Sequence, residues 1–182
     1  MTSLKILAIC GSLRQKSNNK ALLQYAMQQA PTGIEIELAD LSGLPFYNSD
    51  LTEKPDSVTK LIAQAAAADA LLLASPEYNY SIAPALKNAL DWLSREPNNG
   101  VLAGKTAAIM GSGGGMGTSR AQYHLRQVCV FLDLHLVNKP EVFCNSFGDS
   151  FNAAGELVDE RIQGLIQQQL QALAELTGKI RN

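Results

Sequence analysis

Three short apolar runs, Ile6 to Cys10, Ala70 to Ala74 and Thr106 to Met110, end at Gly11, Ser75 and Gly111 and show no alternation of apolar with polar residues. A strand with one wet face alternates, whereas a strand covered on both faces has no need to. Unbroken runs of this length therefore point to a parallel sheet buried between two layers. Ile34-Glu35-Ile36-Glu37-Leu38 does alternate, which assigns it to an edge. Leu134 to Val137 offers a short fifth strand, with Glu141 to Phe143 as an extension beyond Pro140.

Between these runs the apolar period becomes helical. Val58, Leu61, Ile62 and Ala65 form one stripe, Leu86, Ala89, Leu90 and Leu93 a second, and Ala121, Leu125, Val128, Cys129 and Leu132 a third. Leu22, Tyr25 and Ala26 follow a Ser/Asn-rich segment suited to capping a helix, and Ile162, Leu165, Ile166, Leu173, Leu176 and Ile180 continue the pattern near the end. Strand and helix alternate throughout, so a doubly wound α/β fold is expected. An edge position for the second strand gives the flavodoxin-like order 2-1-3-4-5, five parallel strands with helices on both faces. At 182 residues, with no repeat or linker, residues 1–182 are expected to form a single domain. Asn48 to Pro55 and Cys144 to Gly155 read as surface loops.

Composition narrows the function classes. No apolar stretch approaches the roughly 20 residues that span a bilayer, and the Ala-rich run from Ala63 stops at Asp69. The first ten residues lack the pattern of a cleaved leader, so a cytoplasmic protein without membrane contact is expected. The net charge of -2, with no Lys/Arg run and no interleaved aromatic platform, disfavours nucleic acid. Cys10, Cys129 and Cys144 have no Cys-x-x-Cys spacing, and His124 and His135 lack ligand spacing, so no metal is expected.

Ligands of open parallel sheets bind beyond the carboxyl ends of the strands. Three unusual loops fall there: Gly11-Ser12-Leu13-Arg14-Gln15-Lys16-Ser17-Asn18-Asn19, then Ser75-Pro76-Glu77-Tyr78-Asn79-Tyr80-Ser81, then Gly111 to Gly117. The first combines hydroxyls, amides, cations and a helix start, the makings of an anion site. It has only one glycine of the dinucleotide fingerprint and Gln15 where a Walker loop needs glycine, so a terminal phosphate monoester suits it better. Cys10, Lys16 and Ser17 partly match the nucleophile loop of low-molecular-weight tyrosine phosphatases. Lysine, however, cannot supply the bidentate fork that an arginine gives that loop, and the chain has no Asp-Pro pair to act as its acid. The second loop, with two tyrosines beside Pro76, favours a flat ring. The third lets backbone lie against such a ring with its N–H groups pointing inward. Phosphate at one loop and a planar ring between the other two describes FMN.

Gly11-Ser12-Leu13-Arg14 with Ser17 and Asn19, Ser75 to Ile82, and Leu86-Lys87-Asn88-Ala89-Leu90-Asp91-Trp92 resemble the NAD(P)H-dependent FMN reductase family. Gln122 to Gln127 and Asn138 to Glu141 are similar to its quinone and chromate reductase branch. The resemblance implies that Ser12, Arg14, Ser17 and Asn19 bind the FMN phosphate, with Asn18 contributing backbone. It implies that Pro76, Glu77, Tyr78 and Asn79 hold the isoalloxazine and that Ser112 and Gly113 line its other side. It further implies a homodimer or homotetramer, with Arg120, Tyr123 and Glu141 as interface candidates.

The expected activity is hydride transfer from NADPH or NADH through bound FMN to quinones or similar electrophiles, flavin, chromate, azo and nitro compounds among them. The flavin carries the chemistry, so no catalytic side chain is required. The alternatives are a flavodoxin-type electron carrier, which a net charge of -2 does not favour, and the phosphatase-like reading.

Overall fold

The computed structural model describes residues 3–181 and shows the central strands covered on both faces. The chain runs β1 (Leu4–Cys10), α1 (Asn18–Gln28), β2 (Ile34–Leu38), α2 (Asp56–Ala67), β3 (Ala70–Ala74), β4 (Glu77–Tyr78), β5 (Ser81–Ile82) and α3 (Pro84–Leu93). It continues with β6 (Thr106–Gly113), α4 (Ser119–Phe131), β7 (His135–Leu136), β8 (Val142–Asn145) and α5 (Glu160–Arg181). The sheet order is β2-β1-β3-β6-β7, all pairs parallel, and β8 also pairs with β6. The fifth position of the 2-1-3-4-5 order is thus filled by two pieces, β7 beside Thr106 and Ala107 and β8 beside Met110 to Gly113.

The period of two along each central strand sends alternate residues to opposite cores. Leu7, Ile9, Leu71, Leu73, Ala107 and Ile109 pack under α2, α3 and α4. Ile6, Ala8, Leu72, Ala74, Ala108 and Met110 pack under α1 and α5. β2 ends the sheet, with Glu35 and Glu37 turned to water as its alternation requires. Pro140 separates β7 from β8 because it has no N–H to give a ladder. Gln169 of α5 bridges the break, donating from Nε2 to the carbonyls of Ile109 (3.0 Å) and Pro140 (2.9 Å).

Two features depart from the sequence reading. β6 runs three residues past Met110, so Ser112 and Gly113 lie on a strand and only the following glycines form the loop. The segment after β3 is no open loop but a hairpin, β4 against β5, with Asn79 and Tyr80 at φ 50° and 65° in its two-residue turn.

The segment after β2 is held from a distance. Asn88 of α3 accepts from Tyr47 N–H (2.7 Å) and donates to Pro45 O (2.8 Å), and Trp92 Nε1 donates to the same carbonyl (2.8 Å). The Tyr47 and Trp92 rings meet edge to face at 5.1 Å. Asn88 and Trp92 therefore clamp the segment after β2 onto α3.

Candidate functional site: a cleft at the carboxyl end of the sheet

The loop between β1 and α1 is shaped by the helix it enters. Ser17 has extended backbone (φ -102°, ψ 120°) and its Oγ accepts from Lys20 N–H at 3.2 Å, the N-cap arrangement. That bond uses the oxygen and leaves the hydroxyl hydrogen to donate elsewhere. The first turn of α1 holds no acidic residue, and its leading N–H groups lack intrahelical acceptors, so the helix start presents positive potential. Among the described residues Arg14 and Lys16 take part in no ion pair.

Asn19 is buried, and both ends of its amide bond the same residue. Nδ2 donates to Ser112 O (2.8 Å) and Oδ1 accepts from Ser112 N–H (2.9 Å). This two-bond bracket ties the start of α1 to the end of β6 and fixes the spacing between the first and third loops. Asn19 thus fixes where Ser112 stands relative to the first loop, with one of its two amide hydrogens used in the bracket.

On the far side, Ser75 closes the base of the hairpin: its hydroxyl donates to Pro76 O (2.8 Å) and accepts from Ala83 N–H (3.2 Å). Glu77 faces α4. Its Oε1 accepts from Arg120 Nε (2.6 Å) and Nη2 (2.5 Å), and Oε2 accepts from Ala121 N–H (3.1 Å). The end of β6 needs glycine where it passes close to Thr118 and Ser75. A Cβ on Gly111 would overlap the Thr118 hydroxyl and lie 2.5 Å from Ser75 O, and one on Gly113 would lie 2.7 Å from Thr118 Cγ2.

These segments enclose a cleft of about 210 Å³ lined by Ser12, Arg14, Ser17, Asn18, Asn19, Pro76, Glu77, Tyr78, Ser112 and Gly113, together with Gly114 and Ser146. Ten of the eleven expected site residues are thus brought together. Asn79 is not among them; it is exposed at the hairpin tip, where its left-handed backbone makes the turn. Gly114 and Ser146 were missed, and Ser146 had one usable signal: it follows the fifth strand at the same end of the sheet. A larger groove of about 630 Å³ runs between α3 and α4, where Lys87 pairs with Asp91 and Ser81 with His124. Chemistry, not volume, selects the smaller cleft.

The cleft fits a phosphorylated planar cofactor on two structural counts. The buried Ser112 Oγ has no hydrogen-bond partner among the described residues, and Arg14, which lines the same cleft, takes part in no ion pair among them. Cys10 does not have the character of a nucleophile: burial, the main influence, pushes its thiol up from the ordinary value. A neutral, buried thiol weighs against the phosphatase-like alternative.

The NADPH-dependent FMN reductase model matches residues 4–149, which takes in the loop after β1, the hairpin and the glycine turn. The chain belongs to the NADPH-dependent FMN reductase family. Among relatives within reach of this family, it is 55% identical over 173 residues to an NAD(P)H-dependent FMN reductase of Pseudomonas aeruginosa, covering 93% of each chain. It is 47% identical over 186 residues to an NAD(P)H:quinone oxidoreductase of Solanum tuberosum, covering 98% of this chain and 95% of that one. The solved structure of FerB, a flavoenzyme NAD(P)H:(acceptor) oxidoreductase from Paracoccus denitrificans, superposes with a TM-score of 0.87 at 30% identity, covering 97% of this chain and 98% of that one.

Of the three interface candidates, Arg120 is engaged with Glu77, and Glu141 pairs with Lys139 at 2.6 Å. Tyr123 is 72% exposed on α4, near the exposed Val130 and Phe131. Among the described residues no helix is long and apolar enough to cross a membrane.

Proposed function

We propose that this chain, acting as one domain, binds FMN in the cleft and reduces quinones and related electrophiles at the expense of NADPH or NADH. The observation that carries the reading is the convergence in one cleft of a capped, cation-flanked helix start and a backbone-lined slot. The names of the relatives support it.

When bound, FMN supplies a two-electron carrier that accepts hydride from a nicotinamide and passes it to an acceptor. The protein's part is holding and orienting. Arg14, the Ser12 and Ser17 hydroxyls and the first N–H groups of α1 bind the phosphate by charge-assisted hydrogen bonds. Asn19 sets where Ser112 stands relative to that anion. Pro76, Tyr78 and the backbone at Gly113 would hold the planar part, and the backbone N–H groups of the Tyr78 and Gly113 segments would favour the negative charge that arrives with the electrons. The half-exposed Tyr78 leaves one side of the slot open to alternating donor and acceptor, which predicts ping-pong kinetics. Self-association into a dimer or tetramer is supported by the exposed apolar residues of α4. A cytoplasmic setting completes the reading.

Denaturing the purified protein should release FMN and not FAD, and a colourless preparation should turn yellow with added FMN. Anaerobic mixing with NADPH or NADH should bleach the flavin, and a quinone should restore the colour. A chain that takes up no FMN under these conditions refutes the reading.

A further inference from the structure

The hairpin beside the cleft is made of two strands of two residues each, far too short to hold their shape alone. Its turn places Tyr80 in a left-handed conformation that a bulky residue seldom adopts. Something outside the hairpin must hold it, and the contacts name Arg120. The guanidinium forks onto Glu77 at the hairpin base and also lies 3.7 Å above the ring of Tyr80 at the tip. One side chain thus grips both ends of the hairpin, by charge at the base and by cation–π stacking at the tip.

Glu77 returns a service to α4. The residue before that helix, Thr118, sits at φ 71° and offers no side-chain cap, so Ala121 N–H takes its acceptor from Glu77, a strand away. The same helix start anchors the glycine turn after β6, and a Cβ at Gly113 would stand 3.6 Å from Glu77 N. Both walls of the slot are therefore tied together by one ion pair. The Glu77 side chain, 8% exposed, accepts two of these donors at Oε1 and one at Oε2.

We propose that Glu77 and Arg120 are positioning residues, fixing the gap between the hairpin and the glycine turn and so the affinity and orientation of the planar part of FMN. The carboxylate acts through the hairpin and not by bonding the ring. This inference rests on the cleft being the FMN site.

The test uses the full chain with Arg120→Ala, Arg120→Lys, Glu77→Gln and the double variant Glu77→Gln/Arg120→Ala. Readouts are FMN fluorescence quenching, the visible circular dichroism of bound flavin, and amide hydrogen exchange with and without FMN. Arg120→Ala and Glu77→Gln should each weaken FMN binding about tenfold, the scale of one lost charged hydrogen bond. Each should alter the flavin dichroism and speed exchange at residues 77–82, while β1 and β3 stay as protected as before. Arg120→Lys should recover part of the affinity, and the double variant should bind no worse than the weaker single. Arg120→Lys also supplies the comparison should the alanine variant fold poorly. Hairpin exchange unchanged in the variants, or effects that multiply in the double variant, would overturn the proposal. Failure of the wild-type chain to quench FMN removes the functional reading itself. Quenching by wild type with no loss in any variant overturns the positioning role alone.

Discussion

The loop after β1 and the hairpin after β3 face each other across one cleft, yet different forces hold them. The loop is shaped locally, by an N-cap three residues from its partner and by the helix that follows, with the Asn19 bracket as its long-range tie. The hairpin has little local support and takes its shape from a charge pair and a stacked arginine supplied by α4. The Asn19 bracket is buried, whereas Arg120, which grips the hairpin, is 41% exposed. Breaking the first should therefore cost folding stability, and breaking the second should cost order at the site with little change in stability.

The largest effect on stability is expected for Asn19→Ala. It strands the buried N–H and C=O of Ser112 together, at about 3 kcal/mol. A urea midpoint equal to that of Arg120→Ala would erase the proposed difference between the two regions. Next comes Arg14→Ala, which should leave the urea midpoint in place but weaken FMN binding roughly tenfold to hundredfold, equivalent to about 1.5 to 3 kcal/mol. Activity lost on dilution should return with added FMN; if it does not, Arg14 has a role other than holding the anion. Ser17→Ala should cost about 1 kcal/mol of stability through the lost cap. It should also cost some FMN affinity, so a change in only one of the two would show that the hydroxyl serves a single purpose. The smallest effect is expected for Cys10→Ser. Burial keeps that thiol protonated, so quinone reduction should persist and alkylating reagents should leave the folded protein's Cys10 untouched. Activity lost while FMN stays bound would return Cys10 to the chemistry.

The difference between the two regions also explains what could be read from the residues alone. The central strands announced themselves because burial on both faces demands unbroken apolar runs, and β2 because one wet face demands alternation. The capping serine was equally plain, since its partner Lys20 N–H lies three residues on. Ser112 and Gly113 line the cleft but read as a loop, because Gly111-Ser112-Gly113 has no strand preference of its own; pairing with β8 extends the strand. The hairpin escaped because Tyr80 occupies a turn position that would usually show glycine. Arg120 reads as a surface or interface residue until Glu77, 43 positions away, is seen beneath it. Asn19 looked like a ligand for an anion, and only the fold reveals Ser112 as its partner, 93 positions on.

Trp92, the sole tryptophan, is clamped by its indole N–H to Pro45 and by its edge to Tyr47, on the segment that follows β2. Its emission therefore reports the docking of that segment on α3, a different part of the molecule from the cleft where a flavin's own fluorescence would be read. The chain thus carries two optical probes of separate regions. If denaturant melts the protein as one cooperative unit, tryptophan emission and flavin release should trace the same curve. Should the flavin signal change first, the cleft opens while the Pro45 clamp is still closed.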